Sequence, residues 1–283
     1  MIGRVLTRLL DAQGRWATPF GDAVHGLVHG FFSRLTPLRD LLNGGWLGHP
    51  LHALLTDAPI GILFLVIVFD VLGMGQAADI ALVLGVLAAL AAAAAGLADF
   101  SDTDGLARQR ATVHGTVMTL AVLLYLVSAV LRAGGDGTRG GAVAVGILAF
   151  LVLAAGAYVG GDVVYVLGNM VDRHAWRPAS AKWAALEVGE LPERQPVRGR
   201  LGLQNVVLVR DGETIHALHD QCAHAGGPLS QGTLVEGCIE CPWHGSRFRL
   251  ADGRRARGPA VYDQPRYEVR PAEGGGYEAR RVS

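Results

Sequence analysis

Charge is scarce in this chain and unevenly placed. Only 18% of its 283 residues are Asp, Glu, Lys or Arg, against about 25% in an ordinary soluble domain. No glutamate occurs before Glu187, and of the 25 acidic residues 13 lie from residue 183 onward. These absences argue against a fully soluble protein and point to two unlike halves. Formal net charge is +0, and neither half has the basic excess that would release counterions from a phosphate backbone, which excludes nucleic acid as a partner. Cysteine is limited to Cys222, Cys238 and Cys241, too few and too local to staple a secreted scaffold. They point to metal chemistry. The opening MIGRVLTRLLDAQGRW lacks the uninterrupted apolar run, roughly 7 to 15 residues, of a secretory signal, so no cleaved signal is expected.

What the chain does have is long apolar runs. Four stretches, 51–72, 77–98, 112–131 and 142–167, each reach the length of about 20 residues that a helix needs to cross a bilayer. Buried helices of a soluble bundle would show polar faces, and AALAAAAAGLA and IGILFLVIVF show none. The Gly-rich connections GMGQ and RAGGDGTRGG favour antiparallel neighbours in an up-and-down bundle. Arg4, Arg8, Arg15, Arg34 and Arg39, then Arg108 and Arg110, then Arg173, Arg177 and Lys182 fall on one side, against Arg132 and Arg139 on the other. The positive-inside rule then places both termini in the cytoplasm and the protein in the cytoplasmic (inner) membrane.

Ahead of the first span, Val24, Leu27, Val28, Phe31, Leu35, Leu38 and Leu42 recur at helical spacing and predict an amphipathic helix in the interface plane, with His25 and His29 solvated or facing headgroups. After the fourth span, Trp176 and Trp183 suit headgroup anchors. Beyond residue 184, short apolar runs such as VVLVR and YEVR, broken by DG, GG and GP, predict an all-β domain. The expected fold is a four-helix transmembrane bundle followed by that domain. The boundaries are an interfacial segment 1–48, the membrane domain 49–170, a linker 171–183 and the β domain 184–283.

Within the β domain stand Cys222-Ala-His224 and, sixteen residues on, Cys241-Pro-Trp-His244. Two Cys and two His in this order suit a tetrahedral zinc as well as an iron centre. The flanks narrow the choice: D-x-C-x-H-x-G-G-P-L, CPWHGSRF and a later GPA closely resemble the Rieske iron-sulfur family across the whole C-terminal domain. That resemblance implies a [2Fe-2S] cluster with Cys222 and Cys241 on one iron and His224 and His244 on the other. It implies further that Gly226, Gly227 and Gly245 let two loops approach the cluster, with Gly258-Pro259-Ala260 as a third, covering loop. Where high-potential members carry a disulfide between the loops, this chain has Gly227 and Trp243. Ser246 is kept, but Phe248 replaces the tyrosine that would donate to a sulfur. The domain is therefore similar to the ferredoxin and oxygenase branch, with a low to intermediate potential. Cys238 reads as a small buried hydrophobe, and His216 and His219 as partly exposed strand positions.

The segment GGWLGHPLHALLTDAPIGILF resembles a bacterial four-helix membrane domain of unassigned role, known by its HP-x-H signature. With the topology above, His49, His52, Asp57, Asp99 and His114 gather at one end of the bundle. Three readings stay open. His52 and His114 are axial ligands of a haem b, with Ala58, Gly61 and Gly115 leaving room; or the His and Asp cluster holds another metal; or Asp57 caps a helix ahead of Pro59 and the histidines bond carbonyls or headgroups. His49 suits ligation less, because it precedes Pro50. The expected function is a membrane-tethered electron carrier with a donor and an acceptor that the sequence does not name. A membrane-anchored redox or iron sensor and a quinone-linked oxidoreductase are the alternatives, so whether the chain is an enzyme stays open.

Overall fold

Residues with no polar face have nothing to offer water, and in this chain they build helices whose backbone groups satisfy one another. The computed structural model describes residues 2–175 and 182–282; Trp176 falls outside them. Among the described residues, seven α-helices precede the first strand: α1 (Ile2–Ala12), α2 (Gly14–Phe32), α3 (Thr36–Leu42), α4 (Leu51–Val71), α5 (Gly75–Phe100), α6 (Gly105–Ala133) and α7 (Asp136–Gly161), which runs on into a π-helical turn at Asp162–Val166. Two units form. One joins Met1–Leu35 to Pro50–Asn169, the other Thr36–His49 to Met170–Ser283.

In the first unit, α4, α5, α6 and the extended α7 are long and apolar enough to cross a membrane. They coincide with the four expected spans, and α5, α6 and α7 extend them. The extra turns hold polar residues that find partners: Arg108 donates to Asp22 at 2.8 Å, and Arg110 to Asp11 at 2.5 Å. The hairpins α4–α5 and α6–α7 pack along their length, with Leu63, Val66, Leu82, Tyr125 and Leu153 in the core. Gly85 admits Leu63 of the neighbouring helix, whose Cδ2 would lie 2.5 Å from an added Cβ.

Three sequence expectations need correction here. Asp57 caps nothing, because α4 continues through Pro59 without a break and Asp57 is exposed. A proline removes one donor from the ladder, and the flanking bonds carry the helix past it. The interfacial helix is not continuous either: α2 ends at Phe32, and α3 starts afresh at Thr36 and belongs to the other unit. His25 Nε2 and His29 Nδ1 are not simply solvated, since both reach the Ser101 carbonyl, at 3.0 and 2.9 Å.

At the end of the bundle carrying the α4–α5 and α6–α7 turns, Arg132 bonds Asp70 and, at 2.9 Å, Asp79; Arg139 bonds Asp79 at 2.9 Å and Asp70 at 3.1 Å. Asp70 and Arg132 are each 4% exposed.

Among its described residues the second unit has ten strands. Six of them, β1 (Ala184–Glu187), β2 (Pro196–Leu201), β3 (Gln204–Asp211), β4 (Thr214–His219), β9 (Arg266–Pro271) and β10 (Tyr277–Arg281), close a barrel in the order β1-β10-β9-β4-β3-β2. The other four, β5 (Thr233–Val235), β6 (Cys238–Glu240), β7 (Arg247–Arg249) and β8 (Arg255–Arg257), form a separate antiparallel sheet. Trp183 is no headgroup anchor: the guanidiniums of Arg270 and Arg280 lie over its ring at 4.2 and 4.8 Å, two cation–π contacts from β9 and β10. His219 is buried rather than partly exposed, because the ring of His174 lies 4.6 Å from its own. Cys238 is buried on β6, as a small hydrophobe would be.

The charge network at the bundle end yields a test of the fold. Arg132→Ala leaves Asp70 buried with a weakened partner set, a loss of about 3–5 kcal/mol for a broken buried pair. A lowered melting temperature of the detergent-solubilised protein is expected; an unchanged one contradicts the assignment.

Candidate metal centre

Both halves of the cysteine and histidine constellation sit on loops with the same backbone. After β4, the amide of Cys222 bonds the Gly227 carbonyl at 2.8 Å and the amide of Gly226 returns to the Cys222 carbonyl at 2.9 Å. After β6, Cys241 and Ser246 make the first of these bonds at 2.8 Å and Gly245 and Cys241 the second at 3.1 Å. Gly226 at φ +87° and Gly245 at φ +74° hold the positive φ that closes each loop, a conformation that other residues adopt at a cost. Cys222 and Cys241 therefore occupy equivalent positions in two copies of one turn.

The copies meet closely. A Cβ on Gly227 would lie 2.8 Å from Cys241 Sγ and 2.9 Å from Trp243 Cγ, so no larger residue fits between the loops. The two thiols are hydrogen-bonded to each other, and both are almost wholly buried. The amides of His224 and Ala225 point at Cys222 sulfur, and those of Trp243 and His244 at Cys241 sulfur. The hydrogen bond from Cys222, aided by these amides, pulls the Cys241 thiol down to about 7, while donating that bond and burial push Cys222 up. The rings of His224 and His244 stand 4.9 Å apart, nearly perpendicular. Burial first, then the neighbouring His244, Arg173 and Arg39, hold His224 down to about 3, so its imidazole is neutral, the form that binds metal. Two thiols on amide-lined loops beside two imidazoles fit a cluster that takes sulfur on one iron and nitrogen on the other.

Further residues brace the loops, and reading by motif misses them. Gln264, buried, donates to the carbonyls of His219 and Gln221 at 2.6 and 2.7 Å and accepts from the Ala223 amide at 3.0 Å. Ser246 Oγ accepts from the Ala260 amide at 3.0 Å, tying the third loop to the second. Phe248 is fully buried in the core beneath the loops. Helix α3 adds a contribution from far away in sequence: Arg39 donates to the Gly258 carbonyl at 3.0 Å, Asp40 accepts from the Gly258 amide at 2.9 Å, and from the linker Arg173 donates to the His224 carbonyl at 3.1 Å. His224 is consequently buried, whereas His244 is half-buried beside Trp243, which is 53% exposed. No sequence signal marks Arg39 or Arg173, since neither lies near a motif.

The two membrane histidines singled out in the sequence also meet. The rings of His52 and His114 are 6.2 Å apart between centroids. His49 lies outside α4, before Pro50, in the segment grouped with the second unit.

Comparison with known proteins separates the same two parts. Residues 182–268 match the Rieske [2Fe-2S] domain, and residues 48–173 match "Predicted membrane protein (DUF2231)". The chain is similar to Apoptosis-inducing factor 3 of Homo sapiens, 34% identical over 87 residues, which cover 31% of this chain and 14% of that protein. It is similar to the anthranilate 1,2-dioxygenase ferredoxin subunit of Burkholderia cepacia, 28% identical over 99 residues, 35% of this chain and 86% of the relative. Ferredoxin CarAc of Metapseudomonas resinovorans is 36% identical over 80 residues, 28% of this chain and 75% of the relative. The chain thus spans a small fraction of the first relative and most of the two ferredoxins, and all three matches are far shorter than the chain itself. The paired loops and the likeness to a ferredoxin spanned over three-quarters of its length lead to one assignment: the chain belongs to the Rieske [2Fe-2S] family.

Proposed function

We propose that this protein is a membrane-tethered electron carrier whose Rieske domain lies on the cytoplasmic side. The observation that carries this reading is the pair of equivalent loops that bring two thiols and two imidazoles together among inward-pointing amides. Cys222 and Cys241 would hold one iron of the cluster, and His224 and His244 the other. The bound cluster supplies reversible one-electron transfer. The protein's own groups set the conditions for it. Amides aimed at the sulfurs offset negative charge there, and Phe248 withholds the hydroxyl that would add to them. Arg39 and Arg173 act in the same direction as the amides, placing two cations beside His224. The half-buried His244 with exposed Trp243 leaves one imidazole accessible, and that edge is where a partner approaches. Similarity to a dioxygenase ferredoxin subunit supports a carrier acting with a separate oxidoreductase, and the apolar helices support tethering at a membrane. The cytoplasmic side and the inner membrane rest on the excess of basic residues at one end of the spans.

Three outcomes are expected. The purified protein shows the rhombic electron paramagnetic resonance signal of a histidine-ligated cluster on reduction, and His224→Ala and Cys241→Ser each abolish it; a colourless, zinc-loaded preparation overturns the assignment. Arg39→Gln and Arg173→Gln each lower the midpoint potential, on the order of tens of millivolts for one unit charge at an effective dielectric near 20, as read by a redox titration of that signal. An unshifted potential in both removes the electrostatic role. A C-terminal reporter that fluoresces only in the cytoplasm lights up; one active only outside the cell inverts the orientation.

A further inference from the structure

Two histidines of the membrane half are seated in the same way. His52 on α4 makes an Nδ1 hydrogen bond to the Ala92 carbonyl of α5 at 2.8 Å, and His114 on α6 makes an Nδ1 hydrogen bond to the Gly156 carbonyl of α7 at 2.8 Å. Four residues beyond each acceptor a glycine lies against the ring. A Cβ on Gly96 would fall 2.9 Å from His52 Cε1, and one on Gly160 would fall 2.9 Å from His114 Cε1. The two hairpins thus repeat one construction: an imidazole on the first helix, a carbonyl holding it on the second, and a glycine making space. The two rings meet between the hairpins, 6.2 Å apart between centroids with planes at 75°, edge toward face.

The chemistry of that arrangement is specific. A carbonyl only accepts, so each Nδ1 carries the hydrogen, and the lone pair of each neutral ring is on Nε2. A histidine whose Nδ1–H is fixed by a backbone carbonyl has the orientation and tautomer of a metal ligand. Metal–nitrogen bonds of about 2 Å on either side of one ion set two ring centres roughly 6 Å apart, the separation seen here. A single core histidine satisfied by a carbonyl would explain one such seat; it does not explain two, repeated and opposed.

We propose that His52 and His114 are the two axial ligands of one haem iron. A zinc ion takes four protein ligands or three and a water, and this pair supplies two. A haem brings four nitrogens of its own and asks the protein for an axial pair, and bundle cores hold such groups between facing helices. Small residues build both seats: Ala92 and Gly156 supply the carbonyls, and Gly96 and Gly160 let the rings lie flat against α5 and α7. This site is independent of the iron-sulfur reading.

The test uses full-length, detergent-purified protein from haem-replete cells. A pyridine haemochrome assay is expected to give about one haem per chain, and dithionite to give a sharp α band. Oxidised wild-type protein should show a low-spin ferric signal, a readout that needs no variant. His52→Ala and His114→Ala should each lose the band and keep the cluster signal, while His29→Ala keeps both. Haem-free protein that retains its cluster and takes up no haemin on titration overturns the proposal. So do a high-spin ferric signal, stoichiometric copper or zinc without haem, and undiminished haem in both alanine variants. Loss of the cluster signal with the haem band intact would sink the electron-carrier reading instead.

Discussion

The approach of two cysteine loops to within one glycine of each other is the constraint from which the second unit follows. At Gly227 a single added carbon would strike Cys241 sulfur, so the loops must be fixed independently to a fraction of an ångström. The barrel fixes the first through β4, and the small antiparallel sheet fixes the second through β6 and β7. Neither sheet alone places both. Gln264 braces the first loop by using all of its amide: its two N–H groups go to carbonyls at the end of β4 and in the loop, and its oxygen goes to the amide of Ala223. A buried amide so fully satisfied gives the loop one position, since any other leaves a polar group unpaired at a cost of about 1–3 kcal/mol.

A second constraint runs through both units: a cation removed from water is kept only with partners. Arg132 has Asp70 and Asp79, Arg110 has Asp11 and Asp162, and Arg39 has Asp40 and the Gly258 carbonyl. The consequences differ with place. In the first unit the charges nearly cancel and pin the bundle's ends. In the second, Arg39 and Arg173 lie beside a ligand loop, where they bond the carbonyls of Gly258 and His224. The same physics pins helix ends in one place and ligand loops in the other.

How much of this the sequence discloses depends on how local the cause is. Spans 51–72 and 77–98 were legible because continuous apolar character is a local property, and α6 and α7 outran expectation because polar residues such as Arg108 and Arg110 found aspartates elsewhere in the chain. The ligand loops were legible because donors, glycines and prolines lie within a few residues of one another. His219 was misread: its strand alternates as an exposed one does, and the ring that buries it comes from the linker. Trp183 was misread for the same reason, since Arg270 and Arg280 reach it from the chain's far end. Arg39 and Gly258 stand 219 residues apart, and no local pattern relates them.

Both sites are oriented by backbone groups, and this bears on what sequence can reveal at all. Amides direct the thiols of Cys222 and Cys241, and carbonyls of Ala92 and Gly156 direct His52 and His114. Any residue supplies an amide or a carbonyl, so the groups that aim a ligand leave no residue-type signature. What does leave one is the space they need. Gly227 between the loops, and Gly96 and Gly160 under the rings, are positions where a side chain would strike a cysteine or a histidine. In a chain with 39 glycines composition alone cannot separate these from glycines that merely turn the chain. The separation comes from geometry: nothing meets a Cβ at Gly26 or Gly61, whereas at Gly96, Gly160 and Gly227 the first atoms met belong to a histidine or a cysteine. Closeness alone is not the mark, since Gly85 meets Leu63 and Gly21 meets Thr112 as tightly; the residue type of the atom met is.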